Sequence, residues 1–265
     1  MTTTTSTRLR PRPVRDADVT RQTLPQNTTA QGAARRGGRA SLAGPETLPL
    51  QDAPVRPWVA LALAGVAVVL LAGSRLHASS ADLAVTAWFN AHRVGVVGAL
   101  TTGLYRYLEP PYAAVLAVVI VGVLARRRGL HRALSVALSA AVTYAPVVIL
   151  KMVFARPRPD TSLLAHPMAM HPGDWSFPSG HTAFVVSMGA ALVLASLDGR
   201  AVRWAPWAAL AATVVMGCSV LTDGVHYPSD VLASLVWCLS LAPLAWALVT
   251  RWTAWLLPQA GVPRR

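Results

Sequence analysis

Lysine is nearly missing from this chain: of 24 basic residues only Lys151 is a lysine, so a position that keeps lysine where arginine serves everywhere else is singled out. Cysteine is scarce as well. Cys218 and Cys238 both lie inside apolar runs, which argues against a disulfide framework or a thiolate metal cage and for reduced packing residues. Charged residues are only 13% of the 265 positions against 54% hydrophobic ones, and the mean hydropathy is +0.44, which excludes an ordinary soluble domain. Acids number 11, leaving a net charge of +13. The basic residues form short clusters between long uncharged runs rather than a continuous face, so no nucleic-acid partner is expected and orientation in a membrane explains them better.

What is present is a series of apolar runs close to the ~20 residues that a helix needs to cross hydrocarbon. They cover 57–74, 110–125, 133–150, 175–197, 204–222 and 231–250. The expected fold is therefore all-α, an integral membrane bundle of six transmembrane helices. The second run begins at Pro110 or a turn earlier, and the segment 94–105 before it reads as a peripheral or re-entrant helix. Residues 1–56 carry nine arginines against four acids and no apolar periodicity, the pattern of a basic cytoplasmic tail. They lack the h-region and cleavage site of a signal peptide, so the first span is expected to stay attached as an anchor. Arginines in the tail, at 126–132, at 200–203 and in the C-terminal tail 251–265 put both termini in the cytoplasm. Between the first two spans, Asp82, Thr86, Asn90 and Arg93 share one helical stripe, as in an interfacial amphipathic helix serving as a structural collar.

Three segments hold the polar chemistry, and this topology sends all three to the outer side. Lys151 to Asp160 contributes Lys151, Arg156 and Arg158, cationic donors that suit phosphate oxygens and equally suit a solvated basic loop. Pro178-Ser179-Gly180-His181 opens the fourth span, where a helix start offers free N–H groups to an anion, although the same residues also make ordinary turns. His226-Tyr227-Pro228-Ser229-Asp230 opens the sixth. There Asp230 can orient His226 as a nucleophile or base, or simply stabilise the helix dipole beside an interfacial histidine. Together they supply two imidazoles, a carboxylate, cations and a helix N-terminus, the parts for metal-free phosphoryl transfer. No cysteine or paired-histidine spacing suits zinc.

On these motifs the chain resembles the type 2 phosphatidic acid phosphatase family. Lys151 and Arg158-Pro159 match its first motif, Pro178 to His181 its second, and Ser219, His226 and Asp230 its third. The arginine of the third motif falls on Val220, which puts efficiency and substrate in doubt, with Arg156 as a candidate auxiliary cation. Vanadate-dependent haloperoxidases resemble the same signature, but the six apolar runs argue against that reading. The resemblance implies that Lys151, Arg158 and the Ser179-Gly180 backbone hold the phosphoryl group, that His226 attacks phosphorus, and that His181 serves as acid and then base. Asp230 would hold His226 in its attacking tautomer. It implies no metal or organic cofactor. The expected partners are the bilayer and a lipid phosphate or diphosphate, of polyprenyl or phosphatidic acid type, met at the extracytoplasmic face of a bacterial plasma membrane. The alternatives are a lipid-phosphate-binding protein without turnover and a lipid phosphotransferase.

Overall fold

The computed structural model describes residues 47–168 and 174–257. Residues 1–46 and 258–265, most of the two expected tails, lie outside them. The described elements are α1 (Arg56–Leu76), α2 (Leu83–Ala91), α3 (Gly95–Tyr107), α4 (Pro110–Arg128), α5 (Leu130–Tyr144), α6 (Pro146–Phe154), α7 (Gly180–Ser196), α8 (Ala205–Thr222) and α9 (Pro228–Leu256). Short 3-10 turns occupy Thr161–Leu163 and Arg200–Arg203. Proline lies in the first turn of α1, α4, α6, α8 and α9, where its missing N–H costs nothing and its fixed φ suits a helix start.

Helix α9 is the axis of the bundle, packed by α1, α5 and α7, while α7 also packs on α5 and α8. Helix α4 lies against α5, and α2 and α3 lie against α8. Gly65 allows the contact of α1 with α9, since a Cβ there would fall 1.9 Å from Ser240 Oγ. Outside these seams the surface is apolar. On α4 the side chains of Val115, Val118, Val119 and Val123 are all exposed, an arrangement stable only where the solvent is hydrocarbon.

Among the described residues, five helical segments are long and apolar enough to cross a membrane: Arg56–Leu76, Pro110–Arg128, Leu130–Phe154, Ala205–Thr222 and Pro228–Leu256. The fourth expected span differs. Helix α7 has 17 residues and starts at Gly180, because Trp175 to Ser179 run in irregular backbone that carries the second motif to the bundle end. The third joins α5 and α6 through Ala145 and Pro146. The last expected span runs on past residue 250, to Leu256. The end of the expected N-terminal tail is already packed: Leu48 is buried, Trp246 Nε1 donates to the Pro49 carbonyl, and Arg251 donates to those of Gln51 and Ala53.

Candidate active site

The three motifs meet at one end of the bundle. Ala155, with φ 44, ends α6 in the left-handed region and turns the chain so that Lys151 stays on the helix while Arg156 and Arg158 follow in irregular backbone. At the start of α7 the buried Ser179 caps the helix, its hydroxyl accepting from the Thr182 amide at 3.4 Å. Its own amide donates to the Asp230 carbonyl at 3.2 Å, and Ser234 Oγ donates to the Ser179 carbonyl at 2.8 Å. These bonds hold the N-terminal ends of α7 and α9 together. Because Ser179 is committed to the cap, the amides left at the open end of α7 are those of Gly180 and His181, one residue beyond the expected Ser179-Gly180 pair. A Cβ at Gly180 would meet nothing closer than Lys151 Cε at 3.5 Å, so the space before it is open to a ligand.

A cavity of about 520 Å³ lies there, lined by Lys151, Arg158, Gly180, His181 and His226, together with Tyr105, Arg106, Tyr144, Asp174 and Phe184. That volume is in the usual range of small-molecule sites, roughly 300–1,000 Å³. Arg158 Nη1 donates to the Val225 carbonyl and lies 3.4 Å from His226 Nε2, while Nη2 donates to Asp174 Oδ2 at 2.5 Å. Lys151 Nζ donates to the Trp175 carbonyl and stands 4.0 Å from Asp174 Oδ1. Asp174 therefore occupies, with one carboxylate, the two cations expected to take phosphate. Burial would raise its pKa, but Arg158 and Lys151 outweigh that and hold it below the ordinary carboxylate value.

His226 is fully buried, with Nδ1 3.3 Å from Asp230 Oδ2, so the proton belongs on Nδ1 and the Nε2 lone pair faces the cavity. Asp230 Oδ2 also accepts the Tyr227 amide at 2.8 Å, which fixes the carboxylate. Thr86 of α2 donates to the His226 carbonyl at 3.0 Å. Burial, then the positive charges of Arg158 and Lys151, push the His226 pKa well below 6.5 despite Asp230 beside it. The ring is thus neutral at pH 7, as a nucleophile must be.

The lowered pKa has a consequence for stability. An unfolded chain takes up a proton at this imidazole near pH 6.5 while the folded one does not, so this contribution is complete above pH 6.5 and lost as pH falls. Between pH 6.5 and 5.5 the wild type should lose about 1 kcal/mol more stability than His226→Gln. Denaturation in detergent across that range measures the difference in slope.

His181 Nε2 donates to the Tyr105 carbonyl at 3.1 Å, and its ring stacks on Tyr105 with centroids 4.0 Å apart. Helix α3, expected only as a peripheral or re-entrant piece, thus walls the cavity beside the second histidine. Val220, where the resemblance places an arginine, is buried with Tyr105, Met168, Met216 and Val225.

Arg156 does not line the cavity. Its guanidinium is fully buried, with Nη1 donating to Asp230 Oδ1 at 2.7 Å and to Ser229 Oγ at 2.7 Å. Nη2 donates to Asp82 Oδ1 at 2.9 Å and to the Ser79 carbonyl, and the group lies 3.9 Å over the Tyr227 ring. Asp82 returns to the third motif through Oδ2, which accepts the Ser229 amide. The polar stripe of α2 therefore faces inward. Thr86 and Asn90 are fully buried, Asn90 bridges the Thr222 and His166 carbonyls, and Arg93 donates to Asp223, which also accepts from Thr101. Gly224, with φ +73, completes this corner, where a Cβ would stand 2.5 Å from Leu164 Cδ1. The positioning roles of Asp82 and Thr86 were missed in the sequence, where only the helical spacing of the stripe signalled them.

Residues 132–254 match the family model described as the PAP2 superfamily. The undecaprenyl-diphosphatase BcrC of Bacillus subtilis (strain 168) is 32% identical over 88 residues, which are 33% of this chain and 42% of the relative. The aligned part thus spans less than half of that relative's length. The crystal structure of the first transmembrane PAP2 type phosphatidylglycerolphosphate phosphatase from Bacillus subtilis shares the fold, with a TM-score of 0.57 at 22% identity, over 74% of this chain and 98% of that one. Aquifex aeolicus LpxE is also similar, with a TM-score of 0.49 at 19% identity, over 66% of this chain and 97% of that one.

Proposed function

From the match of residues 132–254 to the PAP2 superfamily model, we propose that the chain is a lipid phosphatase of that family working through a phosphohistidine at the extracytoplasmic face of a six-span bundle. One observation carries the reading: Lys151, Arg158, His181 and His226, far apart in the chain, line one cavity at a helix N-terminus.

Substrate phosphate displaces the Asp174 carboxylate from Arg158 and Lys151 and takes the Gly180 and His181 amides as further donors. His226 Nε2 then attacks phosphorus, a P–N bond forms, and the bond from phosphorus to the lipid-side oxygen breaks. His181 gives that oxygen a proton. In the second half, His181 takes a proton from water, the hydroxide attacks phosphorus, and the P–N bond breaks to release inorganic phosphate. Asp230 keeps the Nδ1 proton of His226 in place throughout, itself held by Arg156.

A hydrocarbon tail has somewhere to go. An apolar groove lined by Ala114, Ala117, Ala137 and Ala140 shares Pro110, Tyr144 and Phe184 with the cavity, so a lipid can keep its chain between α4, α5 and α7 while its phosphate enters the site. The BcrC likeness favours a polyprenyl diphosphate within that class.

Purified protein in detergent should release inorganic phosphate from a polyprenyl diphosphate or from phosphatidic acid. His181→Ala should slow release about 10²–10⁴-fold, the usual range for a general acid–base group. Failure of the wild type on both lipids, or unchanged release in the variant, would defeat the proposal.

A further inference from the structure

Arg106 stands apart from the other cations at this end of the bundle. Arg158 and Lys151 are both engaged by Asp174, and Arg156 is buried against Asp82 and Asp230. Arg106 lines the same cavity as well as the neighbouring recess bounded by Arg93, Thr102 and Tyr112, is exposed, and makes no side-chain hydrogen bond or ion pair among the described residues. Glu109 shares that wall without pairing with it, so the guanidinium is not already neutralised. It follows Tyr105 along α3; Tyr105, buried at 6% exposure, accepts the His181 bond and stacks on that ring, and both residues line the same cavity.

The volume of the cavity points the same way. A single phosphoryl group, scarcely larger than a few water molecules at ~30 Å³ each, leaves much of the 520 Å³ unfilled. The wall continues past Arg106 to Pro110, Tyr144 and Phe184, where the apolar groove begins. A lipid diphosphate threaded from that groove to His226 would put its lipid-linked phosphate between the groove mouth and His181. Arg106 is on that wall.

We propose that Arg106 binds the lipid-linked phosphate of a diphosphate substrate, the leaving group when His226 takes the terminal phosphoryl, and so makes the cavity selective for lipid diphosphates over monophosphates. This inference rests on the phosphatase reading above. In a diphosphate, the bond from the terminal phosphorus to the bridging oxygen breaks and negative charge grows on the departing phosphate, where a planar guanidinium can hold two oxygens. A lipid monophosphate leaves as an alcohol and offers Arg106 nothing to hold.

The test measures kcat/KM of the wild type, Arg106→Ala and Arg106→Lys on a polyprenyl diphosphate and on the monophosphate of the same lipid. Loss of a charge-assisted hydrogen bond should lower the alanine variant about 10- to 100-fold on the diphosphate. The monophosphate rate should stay within roughly threefold, since no transition-state contact is removed there, and lysine should recover part of the loss. Equal losses on both lipids, or no loss on the diphosphate, would overturn the assignment. A wild type inactive on both would instead overturn the phosphatase reading before the variants are compared.

Discussion

Replacing His226 with alanine should abolish phosphate release, with kcat at least ~10³-fold below wild type, because a covalent nucleophile has no substitute in the cavity. His181 cannot take over. Its Nε2 is turned to the Tyr105 carbonyl and it has no carboxylate behind it, whereas His226 has Asp230 on Nδ1 and an Nε2 that faces the cavity beside Arg158 Nη1. The loss should not be one of folding, since the Thr86 bond goes to the backbone carbonyl of residue 226 and the Tyr227 amide still holds Asp230. Lipid-phosphate binding should survive as well, because Lys151, Arg158 and the α7 amides remain. Phosphate release and equilibrium binding, measured side by side on the variant, check both halves. A variant that binds and still turns over would remove His226 from the chemistry.

The second large effect belongs to Arg156 and is of another kind. Arg156→Met removes the only cation that touches both Asp82 and Asp230 among the described residues, leaving a fully buried carboxylate at Asp230 without its ion pair. Breaking a buried pair in this way typically costs ~3–5 kcal/mol. The variant should be markedly less stable in detergent, and its residual activity should fall too, because an unbalanced Asp230 no longer holds the His226 proton in place. Arg158→Met is the control. That side chain touches Asp174, Val225 and His226 at the cavity, so its loss should depress kcat/KM with a much smaller change in denaturation midpoint. Equal stability of the two variants would contradict this division of labour.

That contrast also shows where the sequence was legible. Arg156 and Arg158 are two residues apart with the same chemistry, and nothing local says which one meets the cavity and which one meets a carboxylate buried in α9. The long-range contacts decide it: Asp82 and Asp230 are each more than 70 positions from Arg156. The convergence of Lys151, His181 and His226, by comparison, was readable, because helix starts and ends at the same bundle end follow from alternating apolar spans. The stripe Asp82, Thr86, Asn90 on α2 had a visible period of four but no visible target, so its inward face and its hold on the His226 backbone could not be read. Hydropathy also misplaced the start of α7. An uncharged run does not distinguish a helix from the irregular Trp175 to Ser179 segment that delivers the cap. Arg106 escaped notice for the opposite reason: it sits in a short helix whose packing beside His181 depends on the stack with Tyr105.

The most direct measurement is to mix the enzyme with a lipid diphosphate labelled on its terminal phosphate, quench within a single turnover and digest the protein. Acid-labile, base-stable label should appear on the peptide containing His226 in the wild type and be absent from His226→Ala. Rapid turnover with no protein-bound label, or label carried on a different side chain, would contradict the proposed attack by His226.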